Sequence, residues 1–262
     1  FRTKISLAVE LVNEAIEQKL PFETVLFDSW YLAPELLELL AEHDKKWISI
    51  LKINRNISTN NLRILDEEGK PVQFEKPQIK VEDLIPLIPA SAFKPVEIDN
   101  RTYYCFSKNV HIASLGKVRL VISFDNPDLD GTCAVLVTNH LSWNAKKIIE
   151  TYLLRWPIET FYQDAKQQLG LNQYRMRKAK AIQKHWCLVF VAYSFLHLDC
   201  LPASRRHKVH KPIKTIGQIV RQQTRQLIEN LLLHTHKLLD QGIDVSQVFA
   251  ELFAKQVYTM SS

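Results

Sequence analysis

The sequence has 262 residues, of which 46% are hydrophobic and 24% charged, enough apolar material to bury the core of one large domain or two small ones. Its 34 Lys and Arg against 28 Asp and Glu give a formal charge of +6, a mild excess compatible with a polyanionic partner but no proof of one. With only six glycines there is no Gly-rich phosphate loop, which argues against nucleoside-triphosphate hydrolysis.

The stretch "SLAVELVNEAIEQKL" (6–20) carries apolar residues at helical spacing and stops at Pro21, which predicts an amphipathic helix. A short apolar run, Val25–Phe27, follows and ends in Asp28, predicting a buried strand with a carboxylate at its carboxyl end. "PELLELLAEHD" (34–44) reads as a helix with Pro34 in its first turn, and "WISILKIN" (47–54) as a second buried strand. This alternation is the rhythm of an α/β sheet. From about 55 to 136 prolines cluster at 71, 77, 86, 89 and 95, and runs such as "YYCFS" and "VRLVISF" appear, so a β-rich insertion is expected. "TCAVLVTN" (132–139) resumes the core, and Ser142 is the expected cap of a helix starting near Trp143. After Gly170 the chain reads as mostly helical, with a long amphipathic helix over 215–240.

Within 150–171, "ETYLLRWPIETFYQDAKQQLGL", a continuous helix at ~100° per residue puts Tyr152, Arg155, Glu159 and Lys166 within roughly 60° of one another. Leu154, Ile158, Phe161, Ala165 and Leu169 then form the opposite, core-facing stripe. Pro157 is expected to kink the helix just before Glu159, at a cost of ~3 kcal/mol unless compensated. The kink hints at a shaped site. On residue positions alone, the same polar face fits a solvent-facing stripe equally well.

Charge is unevenly spread. Between Lys166 and Ile216 stand eleven Lys or Arg and one acid, Asp199, a local +10 that leaves −4 for the rest of the chain. Either a solvated surface or a nucleic-acid footprint accounts for such a run; its density and one-sidedness favour the footprint. Cys105, Cys133, Cys187 and Cys200 form no CxxC pair and read as reduced thiols of a cytoplasmic protein. The apolar run 186–201 contains His197 and Asp199 and is shorter than the ~20 residues of a membrane span, so it reads as a buried core helix. Trp30, Trp47, Trp143 and Trp186 are expected in the core. His207, His210, His234 and His236 have no cysteine pair and no common zinc spacing.

The pattern Y-x-x-R-x-x-x-E-x-x-x-x-x-x-K, matched by Tyr152, Arg155, Glu159 and Lys166, resembles the Tyr-Arg-Glu-Lys signature of bacterial insertion-sequence transposases, in the cut-and-paste branch of the DDE superfamily. "VLFDSWY" resembles the strand bearing that family's second Asp, and "VTN" with the capped helix resembles the lead-in to its Glu. The resemblance covers roughly residues 5–200. It implies an α/β fold with a ribonuclease-H-like core lacking its N-terminal strands, a β-rich insertion and a helical C-terminal region. The corresponding divisions are 1–54 and 132–200 for the two parts of the core, 55–131 for the insertion and 201–262 for the helical region.

The same resemblance implies three carboxylates holding two divalent ions, Mg²⁺ or Mn²⁺, for phosphoryl transfer on DNA. Asp28 and Glu159 are the carboxylates present as catalytic and metal-binding candidates; for Asp28 alone a turn or helix-capping role is as good a reading. Tyr152, Arg155 and Lys166 would grip DNA phosphates beside the cleavage point, and Arg175, Arg177, Lys178 and Lys180 would extend that grip. The implied partners are double-stranded DNA, both transposon ends and target, and a second copy of the chain in a homodimer on DNA, with no membrane. One departure stands out. Ahead of Asp28 only Glu10, Glu14, Glu17 and Glu23 are available, three of them on a helix, so the first catalytic Asp and its strand are expected to be absent. With no Met at its start, the sequence reads as a truncated gene, the second half of a split frame or part of an intact enzyme. Negligible strand cleavage is expected of it alone. The alternatives are a non-catalytic DNA-binding remnant and an unrelated α/β protein with an accidental signature.

Overall fold

A computed structural model describes residues 2–60, 62–200 and 215–253. His207, His210 and the basic residues 205–214 lie outside the described residues. The chain divides into two compact units, Phe1–Trp156 and Pro157–Ser262.

In the first unit the order is α1 (Lys4–Glu17), β1 (Thr24–Phe27), α2 (Pro34–Glu42), β2 (Lys46–Ile50), β3 (Asn56–Ser58), β4 (Gln78–Lys80), α3 (Val81–Leu84), β5 (Lys94–Ile98), β6 (Arg101–Ile112), β7 (Gly116–Phe124), β8 (Ala134–Thr138) and α4 (Ala145–Leu153). Six strands form one mixed sheet in the order β1-β2-β8-β7-β6-β5, while β3 and β4 form a separate antiparallel pair. β1 and β2 are parallel, joined through α2, and every other pairing in the sheet is antiparallel. The β-rich stretch expected after residue 55 thus supplies β3 to β7, and its β5–β7 meander continues the main sheet through the β7–β8 pairing.

Period-two alternation decides what each face buries. Phe27, Trp47, Val118, Leu120, Ile122 and Val137 point to the side packed by Leu36 and Leu40 of α2, with Val9 and Val12 of α1 at its margin. Ile48, Cys105, Val121 and Leu136 point to the other side, where Ile148, Ile149 and Tyr152 of α4 cover them. The layers, helices on both faces of a sheet that opens with a parallel β-α-β unit, are compatible with a ribonuclease-H-like core. Cys105 and Cys133 are free thiols, and burial raises the pKa of both.

The connection from β8 to α4 is held by a polar clip. Thr138 donates its hydroxyl to the Trp47 carbonyl (2.5 Å) and accepts the His140 N–H (3.0 Å). Asn139 accepts the Trp47 N–H at 2.9 Å. His140 then reaches past β2 to β1: its Nε2 hydrogen-bonds the Thr24 hydroxyl at 3.0 Å. Its ring stacks on Trp143 with centroids 3.6 Å apart, and the Lys147 ammonium lies 4.3 Å from the Trp143 centroid. The cap of α4 is Asn144, whose side chain accepts the Lys147 N–H at 2.9 Å, and not Ser142 as expected. Ser142 stands two residues too early to reach an N–H of the first turn.

The second unit continues with α5 (Trp156–Gln168, its first residue still in the first unit), α6 (Ala179–Cys200), α7 (Ile216–Asp240) and α8 (Val245–Phe253). Ala165, Leu171 and Val189 form one small core with Phe161 and Leu169; Leu196, Ile216 and Ile219 form another. Gly170, at φ 66°, ends α5, and the Leu171 N–H returns to the Ala165 carbonyl at 3.0 Å, a left-handed C-terminal turn that favours glycine. Residues 186–200 of the apolar run fall in α6 as expected, but only a stripe of them is buried. Val189 and Leu196 are inside; Leu188, Val191, Phe195 and Leu198 are exposed. No helix among the described residues is long and apolar enough to cross a membrane. Trp47 is buried and Trp143 half-buried, whereas Trp30 (62% exposed) and Trp186 (41%) lie at the surface, contrary to expectation.

Two outcomes test this description. Asn144→Ala should lower stability by about 1 kcal/mol in urea unfolding, the usual worth of an N-cap, while Ser142→Ala leaves it within about 0.5 kcal/mol. The pKa of His140 is held below its ordinary 6.5, first by burial and then by the nearby Lys46 and Lys147, with Glu23 opposing. A histidine depressed in the fold binds its proton more readily when unfolded, so its contribution is complete above pH 6.5 and declines as pH falls below that value. Urea midpoints at pH about 7.5 and about 5.5 should therefore drop less in His140→Gln than in the wild type.

Candidate active site

Asp28 follows directly on β1. Four apolar residues pair in register with β2, and the chain then leaves the sheet with Asp28 at φ −83° and ψ 173°. Its Oδ1 accepts the Trp30 N–H at 2.8 Å and caps a single 3₁₀ turn, Ser29–Tyr31. The turn-forming reading of this aspartate therefore holds for one oxygen. The residue is exposed, and among the described residues no donor engages its Oδ2.

Tyr152 stands in the last turn of α4, only 8% exposed, and its hydroxyl donates to the Phe27 carbonyl at 3.5 Å. This is a long hydrogen bond and a weak one, but it brings the first signature residue to the peptide just before Asp28. Arg155 lies three residues on, with its guanidinium 5.5 Å from the Tyr152 ring centroid and its N–H bonded to the Tyr152 carbonyl at 3.0 Å.

The 150–168 segment is not one kinked helix. α4 ends at Leu153, Leu154 and Arg155 make a turn, and α5 begins at Trp156. Pro157 is consequently a first-turn residue, where a missing N–H costs nothing and the fixed φ suits the helix, so the interior-kink penalty does not arise. The expected core stripe changes accordingly. Leu154 (70%) and Ile158 (57%) are exposed, whereas Phe161, Ala165 and Leu169 are in the core as expected.

Glu159 and Lys166 belong to the second unit. Seven residues apart on α5, they lie within about 20° of each other around the helix, Glu159 in the first turn and Lys166 in the last, both exposed. The placement suits the helix dipole, acid at the positive end and base at the negative end. Lys166 Nζ is 5.9 Å from the Tyr162 ring centroid. Arg175, Arg177 and Lys178 stand exposed on the loop between α5 and α6, and Lys180 is exposed in the first turn of α6. The loop is pinned at its start, where His185 Nε2 bonds the Gly170 carbonyl at 3.1 Å.

A carboxylate of this kind fits a magnesium-like ion, which takes hard oxygen ligands, retains several waters and needs only one or two protein carboxylates. Among the described residues no group of three or more His, Cys, Asp or Glu is gathered as a metal cage. On α7, His236 pairs with Asp240 at 2.8 Å.

Thr24 and His140 carry no sequence signal of their own, although with Asn139 they fix how α4 approaches the tip of β1. No local pattern marks them, because Thr24 and His140 are 116 positions apart; only the pairing order of β1, β2 and β8 brings them together.

A family model, the transposase DDE domain, matches residues 3–195. No match was found among curated proteins. The matched span takes in β1 with Asp28, α4 with Tyr152 and Arg155, and α5 with Glu159 and Lys166: the chain belongs to the transposase DDE domain family.

Proposed function

We propose that this chain is the DNA-processing region of an insertion-sequence transposase, acting on double-stranded DNA at transposon ends and target as a homodimer in the cytoplasm. Asp28 and Glu159 would be its catalytic carboxylates and would hold Mg²⁺ or Mn²⁺. Bound there, a divalent ion supplies Lewis-acid stabilisation of the phosphoryl group and activates the attacking oxygen. The observation that carries the reading is the meeting of the two family elements in the first unit, with Tyr152 of the signature helix hydrogen-bonded to the residue that precedes Asp28.

The roles of the other residues follow from their chemistry. Arg155 suits a bidentate hold on a phosphate, and Lys166 acts as a point charge. Tyr152 contributes by fixing the end of α4 beside the strand tip, and its hydroxyl would share a phosphate with Arg155. Arg175, Arg177, Lys178 and Lys180 track the duplex backbone, sequence-independently, and set its register. With two of the expected three carboxylates assigned, cleavage by this chain alone is expected to be negligible. The second reading, a DNA-binding remnant without catalysis, draws on the exposed basic loop, which binds whether or not a bond is cut.

Nicking and binding of a transposon-end duplex separate the two. Whatever Mg²⁺-dependent nicking the chain supports should fall by on the order of 10²-fold or more in both Asp28→Ala and Glu159→Ala, with duplex binding retained. Nicking that survives Glu159→Ala would remove that residue from catalysis, and binding with no nicking at all selects the second reading. In a salt titration, Arg175→Ala/Arg177→Ala/Lys178→Ala should make the slope of log affinity against log salt shallower by roughly 2 to 3.

A further inference from the structure

Strand alternation places four of the five Lys and Arg of the β5–β7 meander on one face; the fifth, Lys108, pairs with Leu120 on the other. The register sets Lys94 opposite Cys105, Arg101 opposite Ile98, Arg119 opposite Asn109 and Lys117 opposite His111, and residues paired across antiparallel strands project to the same side. Cys105 and Ile98 pack against the α4 side, so Lys94, Arg101, Lys117 and Arg119 all belong to that face. The one carboxylate of the three strands, Glu97, is paired with Thr102 on the opposite face.

Around the start of α4, Lys94 of this set meets a further cation, Lys146. Lys94, Ser107, Asn144 and Lys146 line a groove of about 440 Å³ floored in part by Cys105. α4 itself carries one acid, Glu150, 3.8 Å from Lys146. Arg119 is held in place, its Nε donating to the Ser107 hydroxyl at 2.9 Å and its Nη1 to the Asn109 side chain and the Leu141 carbonyl, both at 3.4 Å. Lys94 and Lys117 are exposed. β6 has 12 residues and at ~3.4 Å per residue runs for roughly 40 Å, a little more than the 34–36 Å of one duplex turn.

We propose that this face of the meander is a second docking surface for duplex DNA, gripping backbone phosphates through Lys94, Lys117, Arg119 and Lys146. It is additional to the basic loop before α6 and rests on the DNA substrate proposed above. Charge complementarity selects the occupant. A face on which Lys94, Arg101, Lys117 and Arg119 come from three neighbouring strands, with Glu97 turned away, suits a regular polyanion, and Ser107 and Asn109 add neutral partners for phosphate oxygens. Because such contacts touch no base edges, the surface binds without regard to sequence.

The test is fluorescence anisotropy of a labelled duplex over a salt series. Lys94→Ala/Lys117→Ala/Lys146→Ala should flatten the log–log salt slope by about 2 to 3 on duplexes of any sequence. Far-UV circular dichroism and the urea midpoint should stay at wild-type values; Arg119 is left intact because it ties together Ser107, Asn109 and Leu141. Lys70→Ala, which removes an exposed lysine paired with Glu68 in the same unit, should leave the slope unchanged. A wild-type slope in the triple variant, alongside a flattened one in Arg175→Ala/Arg177→Ala/Lys178→Ala, would overturn this surface and leave the proposed function standing. Absence of duplex binding by the wild type at low salt would overturn both.

Discussion

The register of β8 is the constraint on which the first unit depends. β8 is the strand where the parallel β1–β2 pair meets the antiparallel meander, and it sets Thr138 opposite both Ile48 and Arg119. That single alignment lets Thr138 and Asn139 bond the Trp47 backbone and lets His140 reach Thr24. It also fixes where α4 begins, and therefore where Tyr152 arrives. A shift of one residue would turn Val135 and Val137 out of one core and Leu136 out of the other.

The positioning of the candidate carboxylate is thus a matter of connected layers and not of Asp28 alone. Among the described residues β1 has one sheet neighbour, β2. Two side chains from the segment that follows β8 touch it, His140 at its first residue and Tyr152 at its last. These two contacts tie down the ends of β1, and the aspartate's own turn with Trp30 fixes the chain as it leaves the strand.

Much of this architecture is legible in the sequence, for identifiable reasons. Val25–Phe27, the helix after Pro34, the strand before Asn139 and the helix over 215–240 were readable because each is a local pattern of apolar spacing with a stop or start residue. The four signature residues were readable as types at fixed gaps. The break at Leu154 was not: Pro157 marks a boundary three residues downstream, and a proline is equally consistent with an interior kink and a fresh first turn. Nor were the exposed positions of Trp30 and Trp186 legible, since residue type states a preference for burial while the fold decides which surfaces have a partner. The His140 clip lay beyond any local reading, as its two ends are separated by most of the first unit.

The bias of the meander's cations toward its α4 face bears on the register of this sheet. Were β6 and β7 to pair one residue out of step, Lys117 and Arg119 would be driven into the apolar layer shared with α2, where an unpaired cation is very costly. Misaligned hairpins are thereby disfavoured, so the cations of the mature surface also help to fix the register of the sheet beneath them.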